Sequence, residues 1–257
     1  MAEPRTAGHA LITGASRGIG REIALRLASD GFEIAVHYGR DREAAEEVAA
    51  EIVANGGRGF VVGGDLGEPQ DLSRIVEELA STWAEGDRPF LDVLVNNAGT
   101  FAQGDLHSTS PRDFDHVLKI NTRGTFFLIQ QVAPKLRDHG RVIVISSTAA
   151  RLAEQDFVAY SMSKAALETL TRAAAKELGP RGITVNAIAP GWIETDLNRA
   201  FWRENPEVPA AAADRTALRR TGLPDDIAGV ASFFAGPDAK FITGVTLEAS
   251  GGYALGG

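Results

Sequence analysis

Cysteine is absent from the 257 residues. That removes disulfides, thiol nucleophiles and cysteine-ligated zinc or iron–sulfur clusters together. An oxidising compartment is not required, so a cytoplasmic protein is expected. Lysine is scarce: Lys119, Lys135, Lys164, Lys176 and Lys240 are the only five among 26 basic residues. The net charge of −8 disfavours the basic face that nucleic acid requires. It equally disfavours adsorption to an anionic membrane, so neither partner is expected. No stretch approaches the ~18 apolar residues of a membrane span. The polar opening Met1–Gly8 lacks the apolar core of a signal peptide. The five histidines (His9, His37, His107, His116 and His139) show no ligand spacing, and no metal is expected.

What remains is an ordinary globular composition, 44% hydrophobic and 23% charged, with 28 glycines in no fixed period. Short apolar runs alternate with longer helical patterns. Strands are expected at Ala10–Thr13, Glu33–Tyr38, Gly59–Gly63, Val93–Val95, Val142–Ile145, Ile183–Ile188 and Val245–Leu247. Between them lie helices: one marked by Ile23, Ala24, Leu27 and Ala28, then Asp41–Asn55, Pro69–Glu85, a region from Ser110 to Gly140 in one or two segments, Phe157–Leu178 and Pro224–Ala235. This alternation predicts parallel strands joined by right-handed crossovers. Strands apolar on both faces predict helices on both sides of the sheet. The expectation is an α/β fold: one Rossmann-type, doubly wound parallel sheet of about seven strands. No linker divides residues 1–257, so a single domain is expected. Residues 192–221 break the rhythm, with Trp192, Phe201, Trp202 and four successive alanines, Ala210–Ala213. An insertion after a strand's C-terminal end predicts a substrate lid.

Thr13-Gly14-Ala15-Ser16-Arg17-Gly18-Ile19-Gly20 follows the first strand and opens the first helix. Glycines there allow a tight turn and let backbone amides approach a pyrophosphate. The second strand ends in Tyr38-Gly39-Arg40, without the carboxylate that would read an NAD ribose; Asp41 follows it. Arg40 and Arg17 instead suit the 2′-phosphate of NADP(H). Tyr160 and Lys164 stand four apart, on one face of a helix. An ammonium there favours the phenolate and lowers the tyrosine's pKa. With three tyrosines and five lysines, this spacing arises by chance only about 0.06 times. Ser147 lies upstream, at the C-terminal end of the apolar strand Val142–Ile145, the edge where open α/β sheets bind ligands.

With these motifs the chain resembles the short-chain dehydrogenase/reductase family in its NADP-dependent, single-domain form, over nearly its whole length. The resemblance implies a catalytic tetrad of Asn121, Ser147, Tyr160 and Lys164. It implies cofactor contacts from Gly14, Ser16, Arg17, Gly18, Ile19 and Gly20, from Tyr38, Gly39 and Arg40, and from the adenine-flanking pair Asp65 and Leu66. Asn97, Ala98 and Gly99, together with Pro190, Gly191, Ile193 and Thr195 beside the nicotinamide, complete the set, with Tyr160 and Lys164 also touching the cofactor. The implied reaction is hydride transfer between a nicotinamide and a carbonyl carbon. Tyr160 would pass the proton, Ser147 hold the carbonyl oxygen, Lys164 bind the ribose and tune Tyr160, and Asn121 hold a relay water. Within the family the chain is most similar to 3-oxoacyl-[acyl-carrier-protein] reductases. That implies a 3-oxoacyl thioester, free or carrier-bound, or a similar 3-oxo compound. A polyol, sugar or secondary-metabolite ketone is the alternative, and a non-catalytic NADP-binding scaffold a third. Two departures stand out. Such relatives place two basic residues beside the active-site mouth; Arg181 matches one, but Asp138 stands at the other. Phe157 also replaces a polar residue three before Tyr160. A homotetramer or homodimer is implied.

Overall fold

The computed structural model describes residues 7–84, 89–152 and 154–255. The chain order is β1 (Gly8–Ile12), α1 (Gly18–Ser29), β2 (Phe32–Tyr38), α2 (Arg42–Ala54), β3 (Arg58–Gly63), α3 (Pro69–Trp83), β4 (Leu91–Asn96), α4 (Pro111–Leu118), α5 (Thr125–Val132), β5 (Leu136–Ile145), α6 (Ala149–Leu152), α7 (Val158–Leu178), β6 (Thr184–Pro190), α8 (Asp196–Glu204), α9 (Glu207–Asp214), α10 (Pro224–Ala235) and β7 (Thr246–Ala249). Every strand pair is parallel, in the order β3-β2-β1-β4-β5-β6-β7. This is the expected doubly wound sheet, whose strand order reverses between β1 and β4.

Alternation along each strand divides its side chains between two layers. Val142 and Val144 join the layer capped by α3, α5 and α7, whereas Ile143 and Ile145 join the one capped by α1, α2 and α10. α3 shows how sequence makes such a layer. Pro69 opens it at the first turn, where a missing N–H costs nothing. Leu72, Ile75 and Leu79 then recur on one stripe and are at most 1% exposed. Each such burial stabilises by roughly 1.5–3 kcal/mol.

Two expectations need correction. The helical region from Ser110 does not run to Gly140. α5 ends at Val132, a single 3-10 turn spans Ala133–Lys135, and β5 begins at Leu136. Pro134 lacks the amide that a helix needs, and Leu91 of β4 pairs with Leu136. Between α4 and α5, Lys119–Gly124 forms a π turn instead of ordinary helix. The third helix stops at Trp83 rather than Glu85. The stretch Glu85–Arg88 lies outside the described residues, as do Met1–Thr6 of the polar opening. Among the described residues no helix is long and apolar enough to cross a membrane.

Candidate active site

The residues singled out by sequence converge at the C-terminal edge of the sheet, on both sides of the reversal. The glycine-rich turn is built from β1 outward. Gly14 and Gly18 adopt φ of +61° and +56°, conformations that exclude most other residues. A side chain at Gly20 would strike the Gly14 carbonyl oxygen at 2.3 Å, so α1 can start this close to the turn only with glycine there. Thr13 locks β1 to β4: its hydroxyl donates to the Val95 carbonyl and accepts from the amides of Asn97 (2.9 Å) and Ala98 (3.0 Å). Asn97 was expected among the cofactor contacts. Both hydrogens of its amide go to the Thr13 and Gly14 carbonyls, so its side chain shapes the turn.

His37, set aside by the sequence reading, holds the same turn from β2. It is 1% exposed. Its Nδ1 accepts from the Gly14 amide at 3.1 Å and its Nε2 donates to the Gly64 carbonyl at 3.0 Å. These two bonds fix the neutral tautomer. Burial pushes its pKa down from 6.5 to about 4. A lone histidine inside the apolar strand, two residues before Gly39, is the signal that could have found it.

α1 starts without a side-chain cap and without an acidic residue in its first turn. Its positive end suits an anion. Arg17 and Arg40 are exposed, and among the described residues neither enters an ion pair. Asp41, which could have read an NAD ribose, accepts from the Ala44 amide as the N-cap of α2. The donors present therefore fit a 2′-phosphorylated dinucleotide. Asp65 closes its own turn by accepting from Gly67 N at 2.8 Å, while Leu66 is buried beneath.

Lys164 is 4% exposed, and its Nζ donates to the Ile145 carbonyl at 2.8 Å. That leaves two ammonium hydrogens for other partners. Burial lowers its pKa to about 8. The Nζ lies 5.6 Å from the centre of the Tyr160 ring. The Tyr160 hydroxyl is pushed up by burial, which outweighs the opposing hydrogen bond with Ser147. The expected lowering by Lys164 is therefore not what governs Tyr160 in this structure. A raised pKa keeps Tyr160 protonated at neutral pH, as a proton donor must be. Asn121 is fully buried in the π turn. Its amide donates to the Thr100 carbonyl and the Ser163 hydroxyl, and its Oδ1 accepts from the Thr100 amide. With the side-chain hydrogens spent, a relay water at Asn121 would have to donate, to the main-chain carbonyl or to the second lone pair of Oδ1. A Cβ on Gly99 would stand 3.3 Å from Asn121 Oδ1 and 3.5 Å from Lys164 Nζ, so these three positions form one wall.

Aromatic side chains flank this edge. Phe101 and Phe157 meet edge to face at 5.9 Å, one helical turn before Tyr160. Trp192 stacks on Trp202 at 6.2 Å and leans on Tyr253 at 6.4 Å. The segment after Pro190 forms α8 and α9, and its ends meet where Ile193 bridges Gly222. Ile193 is buried, and Thr195 caps α8. Arg181 is not at this edge. It precedes β6 at the opposite end of the sheet, paired with Asp138 at 2.9 Å and donating to the Ala133 and Leu136 carbonyls. Among the described residues no cluster of three or more metal-ligating side chains occurs.

Residues 14–254 match a family described as enoyl-(acyl carrier protein) reductase. Versicolorin reductase 1 of Aspergillus parasiticus is 38% identical over 253 residues, covering 95% of each chain. The 3-oxoacyl-[acyl-carrier-protein] reductase FabG of Staphylococcus aureus is 38% identical over 245 residues, 95% of this chain and 96% of that one. Among solved structures, the angucycline C-6 ketoreductase LanV with bound NADP superposes with a TM-score of 0.91, at 40% identity and 98% coverage of both chains.

Proposed function

The chain belongs to the short-chain dehydrogenase/reductase family, and from that premise we propose that it reduces a ketone with NADPH, the substrate being an apolar, ring-bearing 3-oxo compound. The observation that carries the reaction is the meeting of Ser147 and Tyr160 at the sheet edge beside buried Lys164. NADPH, when bound, supplies the hydride. The glycine-rich turn and the start of α1 would hold its pyrophosphate, Arg17 and Arg40 its 2′-phosphate, and Lys164 its nicotinamide ribose. Ser147 hydrogen-bonds the carbonyl oxygen and stabilises the charge that develops there. Tyr160 gives its phenolic proton to that oxygen as the carbon is reduced, so one ketone, one hydride and one proton become one alcohol. Lys164, charged below about pH 8, favours the phenolate left behind.

Arg40→Ala should weaken NADPH binding far more than NADH binding, read by fluorescence titration of both cofactors. Equal losses for the two would mean that Arg40 does not read the 2′-phosphate.

The aromatic flank of Phe101, Phe157, Trp192 and Trp202 supports a flat apolar substrate. The commitment of Arg181 to Asp138, away from the site, weighs against docking of an acidic carrier protein. The second reading, a carrier-bound 3-oxoacyl thioester, is supported by the likeness to FabG. A substrate panel followed by loss of NADPH absorbance separates the two. Bicyclic and polycyclic ketones should turn over faster than acetoacetyl thioesters, free or carrier-bound, and sugars should be inert. Preference for the carrier-bound thioester would replace the first reading by the second. The exposed Phe126 on α5 and Met162 on α7, with exposed Leu247 on β7, support assembly into a tetramer or dimer through those elements.

A further inference from the structure

The turn that would take the cofactor's pyrophosphate already has an anion against it. Asp196, the first residue of α8, accepts from the Gly18 amide with its Oδ2 at 3.2 Å. These residues are 178 apart in sequence, so the contact joins the segment 192–221 to the start of α1. The carboxylate is held from its other side by Arg199, whose guanidinium lies 2.7 Å from Asp196 Oδ1 and 3.3 Å from Glu194 Oε1. Thr195, the neighbour of Asp196, faces Gly18 as well: a Cβ built on that glycine would meet Thr195 Cγ2 at 3.5 Å. A cavity of about 270 Å³ opens beside this contact, its lining including Gly18, Arg21, Glu22, Thr195, Asp196 and Arg199.

The Gly18 N–H is a single donor. It cannot serve the Asp196 carboxylate and a phosphate oxygen together, and two anions at one helix start repel each other. We propose that Asp196 is a latch: it fastens the substrate cover to the phosphate-binding turn, and the dinucleotide's pyrophosphate displaces it, so that NADPH binding itself releases α8. The inference rests on the reading of the glycine-rich turn as the NADPH site. It makes cofactor binding the step that frees the cover.

The latch opposes cofactor binding, so loosening it tightens binding. In Asp196→Asn or Asp196→Ser, NADPH should bind about two- to five-fold more tightly, the size of one charge at a helix start, measured by quenching of intrinsic fluorescence. Glu204→Gln, at the far end of α8, is the control and should bind like the parent. Amide hydrogen exchange gives a readout independent of turnover. Without NADPH, α8 should exchange faster in the Asp196 variants than in the parent, and saturating NADPH should erase that difference. Unchanged or weaker NADPH binding in both variants, or α8 exchange that ignores the substitution, overturns the latch. If the parent protein itself fails to bind NADPH, it is the cofactor reading that falls.

Discussion

Replacing Tyr160 by phenylalanine should lower turnover by about 10²–10⁴-fold, the usual worth of a positioned proton donor, while leaving the dissociation constant for NADPH nearly unchanged. The substitution removes one oxygen and keeps the ring, whose centre lies 5.6 Å from Lys164 Nζ. α7 is retained too, because the bonds that anchor this stretch, Ser163 Oγ to the Tyr160 carbonyl and Lys164 Nζ to the Ile145 carbonyl, use no phenol. What disappears is the only group that can return a proton to the reduced oxygen. Ser147 lies beside the Tyr160 phenol and could polarise a carbonyl, but its hydroxyl is far too weak an acid to replace a phenol. Steady-state kinetics with a ketone from the panel, alongside a fluorescence titration with NADPH, measures both halves. A variant that turns over at a comparable rate would mean that the proton comes from elsewhere.

Acidification from about pH 6.5 to pH 4 should cost the protein about 3 kcal/mol of stability through His37 alone. In the fold the imidazole is buried and neutral, with its pKa lowered to about 4; in the unfolded chain it titrates near 6.5. Between those values the unfolded state binds a proton that the folded state refuses, so stability falls as the pH falls. Above about 6.5 neither state is protonated, and below about 4 both are, so the loss is confined to that window. Protonation would also cost the turn a partner, because Nδ1 could no longer accept from the Gly14 amide. Urea unfolding at pH 7, 6, 5 and 4, compared with His37→Asn, isolates this contribution from that of the carboxylates. The parent should lose more stability than the variant across the window. Parallel curves would show that His37 takes up its proton equally in both states.

Most of the candidate site is short-range pattern. Tyr160 and Lys164 declared themselves by helical spacing, and the glycine-rich turn by its place between the first strand and the first helix. The sheet was legible because its strands are apolar on both faces. The beginning of β5 was not, since Arg137, Asp138 and His139 look like the polar tail of a helix. They lie within the strand because Leu136 and Arg141, on either side of them, pair with β4, about 45 residues away along the chain, and His139 takes a φ of +66° where the register shifts between those pairs. The His37 bridge and the Asp196 contact were hidden for the same reason, each joining segments that only the finished fold brings together. Arg181 failed in the other direction: its identity suggested a partner surface, but the chain turns into β6 beside it and spends it on Asp138 and two carbonyls.

The two ends of the segment 192–222 are tied to each other, by the Glu194 and Gly222 amides that donate to the Gly222 and Trp192 carbonyls. An insert whose ends already touch imposes little on the scaffold that carries it. It can thus be exchanged as a cassette, cut at Trp192 and Gly222, with little disturbance of the sheet. The transplant has a second border. Ala217 and Leu218 bond to Gly252 and Gly251, and Arg215 stacks on the ring of Tyr253 at 4.7 Å. A graft that takes residues 192–222 without residues 250–254 would arrive with half of its seam unsewn.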